Sequence, residues 1–379
     1  MSHDLSKYLL FVFILPSLLA CKKLYEPSVI TAGNNYLVVD GFINTGINGV
    51  TTVNLSRARN ISDSTFDVLP ESNGNISIES STGASYHLQQ VSDGKYESIP
   101  LSLNSNETYR LNVTAANGTQ YQSAWVIAKK TPLIDSITWL QKDDVTIYAN
   151  THDPENATRY YRWDFVETWQ YTARYNTELG AANHLIYYRD STNFIYNCWN
   201  TAHSTSIILG TSAVLSQDVI SKAPIATIVQ DDRRLGVRYS IFVRQYALSQ
   251  EAYQYWEIIQ KNTQKTGSLF DLQPSRLVGN INSLTNKNEP VIGFISAGSV
   301  EEKRIFIRNA EVANWRLPLQ QLCDLIFIPQ NPTNYLIFDY KDTSYAPYYF
   351  TSGGGIAISR NECFDCRLQG GSNIKPAFW

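Results

Sequence analysis

Five cysteines carry the most reactive side chains of the chain. They are Cys21, Cys198, Cys323, Cys363 and Cys366. Cys363 and Cys366 have the Cys-x-x-Cys spacing of a thiol redox pair or of half a zinc site. A redox pair normally begins a helix within a strand–helix–strand unit, whereas these two cysteines lie in a glycine-rich C-terminal segment. The five histidines show no spacing that would complete a zinc site, so we predict structural disulfides.

Cys21 differs from the other four cysteines because it ends an apolar run, Tyr8–Ala20. A helix of that length rises only about 20 Å, short of the roughly 30 Å hydrocarbon core of a bilayer. Lys7 precedes the run, and Leu18 and Ala20 stand three and one residues before the cysteine, the pattern that lipoprotein processing needs. We therefore predict a lipoprotein signal peptide over residues 1–20, lipidation of Cys21 and a tether over 21–35. An ordinary signal peptide and an uncleaved anchor are the alternatives.

With Cys21 acylated, an even number of cysteines remains. Two disulfides would use Cys198, Cys323, Cys363 and Cys366, and three connectivities are possible. A bridge from Cys323 to Cys363 or Cys366 would close a loop of about 40 residues and stabilise the fold by roughly 4 kcal/mol in the chain-entropy model. The sequence therefore predicts an oxidising compartment outside the cytoplasm.

Other residues that could act in catalysis form no recognisable group. Asp143-Asp144, Asp231-Asp232 and Glu301-Glu302 are adjacent carboxylates, and neighbours on a strand point to opposite faces. Gly353-Gly354-Gly355 lacks the Lys-Ser/Thr that a phosphate-binding loop requires. We predict no catalytic residue, no cofactor and no metal site, and hence a protein that is not an enzyme.

Aromatic residues are the remaining functional signal, with 24 tyrosines and 8 tryptophans in 379 residues. Exposed rings stack on sugars or form contacts that dominate protein interfaces, although most aromatic residues build the core. Residues 166–236 are too long for a plain loop, so we expect their aromatic residues to be the exposed ones. The predicted ligand-binding residues are Trp169, Tyr171, Tyr175, Tyr187 and Tyr188.

The composition is that of a secreted β-protein. Charged residues make up only 17% of the chain and the net charge is −3, which gives no reason to expect a nucleic-acid partner. Short alternating segments with turn residues between them fill residues 36–130, and Asn117-Gly118 predicts a hairpin. We predict a mainly β fold of two β-sandwich domains, of the immunoglobulin or fibronectin kind, with one inserted helix.

The predicted domains follow from these patterns. Residues 36–130 form the N-terminal β-sandwich, and residues 131–309 form an enlarged fibronectin-like β-sandwich. A helix over 249–265 starts at the N-cap Ser249, packs its aromatic face on a sheet and stops before Gly267. Val291–Phe294 and Arg304–Ile307 are expected to return to the second sandwich. Residues 310–379 form a disulfide-stapled C-terminal extension.

The chain resembles DUF4249, a domain-of-unknown-function family of Bacteroidota lipoproteins. The resemblance covers the mature chain and has its most specific part at the C-terminus. Its motifs are the segment ending at Cys21, Tyr25-Glu26-Pro27, Leu37–Gly41, Tyr160–Trp163, Cys198-Trp199, and the ending Cys363-Phe-Asp-Cys366-Arg367, Gly370-Gly371 and Lys375–Trp379. The resemblance implies an outer-membrane protein associated with TonB-dependent receptors. It brings no catalytic residues.

Two functions from different classes follow from these observations. The first is a lipid-anchored outer-membrane accessory protein, on the periplasmic face or the cell surface, that partners a TonB-dependent receptor in nutrient uptake. The alternative is a receptor-independent lipoprotein of the cell envelope that binds a glycan or a peptide. An enzyme ranks third because no acid, base or nucleophile group stands out.

Substitution of Cys21 tests the predicted anchor. Cys21→Ser removes the thiol that would carry the lipid, so we expect the protein to leave the membrane fraction, because stable attachment requires acyl chains. The measurement is immunoblotting of membrane and soluble fractions, with Cys198→Ser as the control that leaves the N-terminal signal intact. A Cys21→Ser protein that stays in the membrane fraction would contradict the prediction.

Overall fold

The computed structural model describes residues 35–58, 68–183, 185–190, 195–264, 278–317, 323–329 and 344–379. The predicted signal peptide, Cys21 and the tether up to residue 34 lie outside the described residues. In the described part the chain is mainly β, with one α-helix, which confirms the predicted class. No helix in these ranges has both the length and the apolar character that crossing a bilayer needs.

The first nine strands precede residue 130. Their bounds are β1 (Leu37–Asn44), β2 (Thr52–Arg57), β3 (Leu69–Pro70), β4 (Asn75–Ser80), β5 (Ser85–Ser92), β6 (Lys95–Ser98), β7 (Thr108–Thr114), β8 (Gln120–Ser123) and β9 (Val126–Lys129). Alternation of buried and exposed residues accounts for them, as in β4, where Ile76, Ile78 and Ser80 are buried and their neighbours are not. The predicted hairpin at Asn117-Gly118 is confirmed, since it joins the antiparallel strands β7 and β8.

The remaining elements follow in chain order. They are β10 (Ile134–Gln141), β11 (Val145–His152), β12 (Tyr160–Thr172), β13 (Leu179–Ala182), β14 (Leu185–Tyr188), β15 (Asn197–His203), β16 (Ile208–Thr211), β17 (Val219–Ile228), β18 (Arg238–Leu248), α1 (Gln250–Gln264), β19 (Ile281–Ser283), β20 (Ile292–Gly293), β21 (Ser296–Gly298), β22 (Val300–Arg308), β23 (Ile326–Ile328), β24 (Tyr345–Phe350) and β25 (Ile356–Arg360). Single 3-10 turns occupy Arg233–Leu235, Asn309–Glu311, Asn361–Cys363 and Cys366–Gln369.

The N-terminal unit is a closed barrel rather than the predicted β-sandwich. Eight strands form the ring in the order β7-β4-β5-β6-β2-β1-β21-β9, and β9 pairs with β7 to complete it. Large side chains fill the interior, so the barrel is a packed core. They include Leu37, Ile76, Tyr96, Tyr109 and Tyr121. The sandwich prediction was wrong for this unit. The ring closes through β21, which lies far along the chain, so the pattern of residues 36–130 alone does not indicate the closure.

The predicted location of Val291–Phe294 was also wrong. The segment Val291–Phe294 was expected to return to the second unit, but Ile292 and Gly293 pair in parallel with Val38 and Val39 of β1. β21 then pairs in parallel with both β1 and β9. Arg304–Ile307, by contrast, lies in β22 and pairs with β18 of the second unit, as predicted.

The second unit contains two sheets that share one core. One sheet has the order β10-β11-β17, and the other has the order β15-β12-β18-β22, with β16 also paired to β12. Buried side chains from both sheets meet in a single cluster. They include Ile137, Val145, Ile147, Tyr161, Trp163, Tyr239, Ile241, Val243 and Ile307. Trp315, which follows β22, packs in the same core.

Helix α1 forms where the spacing predicts it. The Ser249 hydroxyl accepts a hydrogen bond from the Ala252 amide at 3.2 Å, as expected of an N-cap. Ala252 and Tyr255 are buried, and Trp256 packs with Tyr246 of β18. The helix thus covers one end of the five-stranded sheet, which confirms its predicted packing. Gly267, the expected stop, lies outside the described residues.

The C-terminal segment is held by two disulfides, which confirms that all four cysteines pair. Cys323 bonds to Cys363 within the segment, and Cys198 of β15 bonds to Cys366, 168 residues away. The small sheet β23-β25-β24 packs against the β13–β14 hairpin through Leu179, Ile186 and Ile358. The C-terminal extension is therefore linked covalently to, and packed against, the insertion between β12 and β18, residues 173–237.

A glycine substitution tests whether the late segment is an integral part of the barrel. A Cβ at residue 279 would overlap the carbonyl oxygen of Gly293, so Gly279→Ala must displace the chain beside β1. We expect a loss of about 1–3 kcal/mol in the free energy of unfolding, as over-packing generally costs. Chemical denaturation measures it, with Gly353→Ala as the control because a Cβ there meets open space. Equal unfolding midpoints for the two variants would contradict the closure of the barrel by this segment.

Candidate functional site

Two of the crossings between the barrel and the second unit, at residues 130–133 and 298–300, lie side by side. Thr131 donates its amide to the Ser299 hydroxyl at 2.9 Å and its own hydroxyl to the Ser299 carbonyl at 2.5 Å. The Ala247 amide of β18 donates to the Thr131 hydroxyl at 3.1 Å. The junction is therefore a double connection tied to the five-stranded sheet.

Gln245 holds the first crossing from inside the second core. Its fully buried side chain donates to the Pro132 carbonyl at 2.7 Å and to the Thr151 hydroxyl at 3.0 Å. The Trp163 indole N–H donates to the Gln245 carbonyl oxygen at 2.8 Å. The Thr151 hydroxyl donates onward to the Leu133 carbonyl at 2.8 Å. Because each of these buried polar groups has a partner, the backbone of residues 132–133 has one defined position.

A cleft of about 1420 Å³ opens at this junction. Its walls are the β1–β2 loop, residues 127–135, the β11–β12 turn and the start of β22. Sites for small ligands usually enclose about 300–1,000 Å³, so this cleft has room for a peptide segment or a protein loop.

Large aliphatic side chains stand exposed around the cleft. Ile47 is 90% exposed, and Ile127 and Leu133 are each 70% exposed. All three line the same cleft, and grouped exposed apolar side chains mark interaction sites. The sequence offers a weak signal for one of them, since Ile47 is the apolar residue in the turn Gly46-Ile47-Asn48-Gly49.

Charged groups of both signs complete the cleft wall. His152 of β11 contacts Asp135 of β10, with 2.8 Å between Nδ1 and Oδ2, and this hydrogen bond raises the pKa of His152. Burial, with Glu302 beside it, raises the pKa of Glu301. Lys130 lies 3.5 Å from Glu155. The cleft thus combines an apolar rim with polar groups that can fix the orientation of a bound segment.

Three of the predicted ligand-binding aromatic residues serve the fold. Tyr171 is only 4% exposed and donates its hydroxyl to the Cys366 carbonyl at 2.9 Å, so its predicted exposure was wrong. Tyr175 donates to the Cys323 carbonyl at 2.7 Å and stacks on Tyr348. Trp169 lies half-buried between the second core and Tyr171. The C-terminal extension folds back on the insertion, and this packing is what covers these rings.

The other two predicted residues are exposed. Tyr187 and Tyr188 of β14 are 40% and 70% exposed. They lie on the β13–β14 hairpin, away from the residues that line the cleft. The predicted set of five is therefore not brought together in one site, and Tyr187 and Tyr188 stay a prediction.

The adjacent carboxylates take structural positions. Asp143 and Asp144 lie in the turn between β10 and β11. Asp232 accepts a hydrogen bond from the Arg234 amide at 2.8 Å, and Asp231 accepts one from the Arg316 amide at 2.6 Å. Over the described residues, no group of three or more His, Cys, Asp or Glu is arranged to hold a metal ion.

A family defined by sequence matches this mainly β, disulfide-bonded chain. Residues 22–304 match the family model described as "Domain of unknown function (DUF4249)". The match spans most of the chain, so the protein belongs to this family, as the resemblance indicated. No curated protein matches the chain.

Two solved structures are remotely similar to the chain. A two-domain fibronectin type-III segment from chicken tenascin is 11% identical with a TM-score of 0.16, covering 55% of this chain and 90% of the segment. The adhesin InvE of Yersinia pseudotuberculosis is 12% identical with a TM-score of 0.15, covering 57% of this chain and 55% of the adhesin. Such low TM-scores carry no argument about fold or function.

The His152–Asp135 contact makes a pH-dependent contribution to folding. The pKa of His152 is raised in the folded chain, so the contact stabilises the protein at pH below the ordinary histidine value, and the contribution is lost as pH rises through the raised pKa. We expect Asp135→Asn to lower the melting temperature more at pH 5.5 than at pH 8.5, as measured by calorimetry.

The control for this prediction is Asp143→Asn, which removes a carboxylate from the far end of the same hairpin. A melting-temperature loss in Asp135→Asn that does not differ between the two pH values would contradict the assigned contact.

Proposed function

We propose that this protein is a lipid-anchored accessory protein of the outer membrane that partners a TonB-dependent receptor in nutrient uptake and has no catalytic activity. The segment Leu18–Cys21 and membership of the family support the location. The exposed aliphatic rim of the junction cleft supports a binding role and is the observation on which the proposal rests.

The size and lining of the cleft favour a protein partner. Ile47, Ile127 and Leu133 would lose contact with water when a loop of the receptor enters, and burial of such side chains contributes about 1.5–3 kcal/mol each. His152 and Lys130 beside Asp135 and Glu155 would pair with polar groups at the edge of the interface.

The proposal also retains the fibronectin-like classification of the second unit. Its two sheets face each other across one core, as in sandwiches of that kind. In this arrangement the second unit presents the cleft on a rigid support, and the predicted tether over residues 21–35 would join the barrel just before β1.

Affinity capture from outer membranes tests the proposal. Tagged full-length protein should retain a TonB-dependent receptor identified by mass spectrometry, and Ile127→Asp/Leu133→Asp should reduce the recovered receptor at least about tenfold, since a charge would be buried in the interface.

The matched control is Val214→Asp, which places the same charge on a side chain that is 91% exposed and does not line the cleft. Two results would each overturn the proposal. One is that no receptor is recovered with the unaltered protein, and the other is that the cleft variant and the control recover it equally.

A further inference from the structure

A second cavity, of about 430 Å³, lies where helix α1 meets the barrel and the five-stranded sheet. Val38–Asp40 of β1 form one wall, Arg162–Asp164 of β12 form another, and Tyr255, Trp256 and Ile259 of α1 form a third. Phe294 and the hydroxyl-bearing residues 204–206 also contribute to the lining. Its volume falls in the range of small-molecule sites.

Arg162 brings an uncompensated positive charge to this cavity. Its guanidinium lies between two aromatic rings, 4.4 Å from the centroid of Trp256 and 4.7 Å from that of Tyr246. Over the described residues it makes no hydrogen bond or ion pair, and its Nε is buried without a partner. A guanidinium remains charged at all physiological pH values, and stacking fixes its plane, so it is preorganised for a carboxylate.

The neighbouring carboxylate does not neutralise Arg162. Asp164 is engaged by Arg244, with 2.5 Å between Nε and Oδ1, and accepts a hydrogen bond from the Tyr246 hydroxyl at 2.8 Å. Arg244 lines the junction cleft, so this ion pair stands between the cleft and the cavity. Asp164 therefore forms no ion pair with Arg162.

Asp40 of β1 supplies a negative charge to the cavity lining. It is exposed, and its contact with the Asn54 amide is long, at 3.4 Å. Burial, together with the charge of Asp40, raises the pKa of Tyr255, so the carboxylate lies near helix α1. The cavity lining thus includes one cation, Arg162, and one carboxylate that Arg244 does not engage, Asp40, together with the apolar side chains of Trp256, Ile259 and Phe294.

We infer that this cavity binds an amino acid with an apolar side chain. Arg162 would pair with the ligand carboxylate, Asp40 with its ammonium group, and Trp256, Ile259 and Phe294 would contact the side chain. A neutral sugar would leave the charge of Arg162 unpaired, which disfavours it. The inference deepens the proposed role in nutrient uptake by naming a ligand class, but it rests on a different cavity from the receptor cleft.

Isothermal titration calorimetry of purified full-length protein in detergent tests the inference. L-leucine and L-phenylalanine should bind, whereas 3-methylbutylamine, which lacks the carboxylate, and 4-methylpentanoate, which lacks the ammonium group, should bind at least about tenfold more weakly than L-leucine. Absence of amino-acid binding up to about 10 mM would overturn the inference. Equal binding of inorganic phosphate would also overturn it, since the site would then be a general anion site.

Three variants assign the contacts. Arg162→Gln should weaken L-leucine binding at least about tenfold, and Arg238→Gln is its matched control. Arg238 is also a ring-stacked arginine without an ion pair among the described residues, and it lies against Phe306 and Trp379, outside the cavity. Asp40→Asn, at an exposed position that folding tolerates, should weaken L-leucine binding without weakening that of 4-methylpentanoate.

Equal losses of L-leucine affinity in Arg162→Gln and Arg238→Gln would overturn the site. Equal losses of affinity for L-leucine and for 4-methylpentanoate in Asp40→Asn would also overturn it. Receptor capture and amino-acid titration of the unaltered protein separate the two proposals. If the unaltered protein captures the receptor but binds no amino acid, this inference alone is rejected. Amino-acid binding without receptor capture would reject the proposed function alone.

Discussion

The paired crossings at residues 130–133 and 298–300, between the barrel and the second unit, are the constraint on which the rest of the structure depends. β21 closes the barrel by pairing with β1 and β9, and β22 begins two residues later in the second unit. Thr131 ties this crossing to the earlier one through Ser299, and Gln245 anchors residues 132–133 from within the second core. The two units therefore cannot separate without breaking both barrel closure and a buried hydrogen-bond network.

Both candidate sites depend on that constraint. The cleft lies between the β1–β2 loop and the strands that leave the crossings, while the smaller cavity lies between β1, β12 and α1. Phe42 of β1 packs against Tyr246 of β18 with 4.9 Å between ring centroids, and Phe294 lies 5.3 Å from Tyr255 of α1. Aromatic contacts thus link barrel, sheet and helix around the two openings, so that walls contributed by distant parts of the chain keep a fixed separation.

Local patterns in the sequence predict what is local in the structure. Alternation located the strands before residue 130, Ser249 located the start of α1, and the even number of cysteines beyond Cys21 predicted two bridges. The closure of the barrel could not be read this way, because Ser296–Gly298 is three residues long and meets β1 only through tertiary pairing. The exposure of Tyr171 was mispredicted for a related reason, since Cys366 and its neighbours cover it from 195 residues away. In the sequence, Arg162 is one charge in an aromatic strand, and only the fold shows that Asp164, two residues along, is engaged by Arg244.

Hydrogen exchange of the full-length protein tests the central claim, that the segment around β21 is part of the barrel and fixes the junction. Amides of Ile295, Ala297 and Gly298 should exchange as slowly as those of Val39 and Ile43 in β1, because one cooperative opening exposes both strands. If the amides of residues 295–298 exchange completely while those of β1 remain protected, the barrel is closed without this segment. That result would contradict the account of the junction and of both sites built on it.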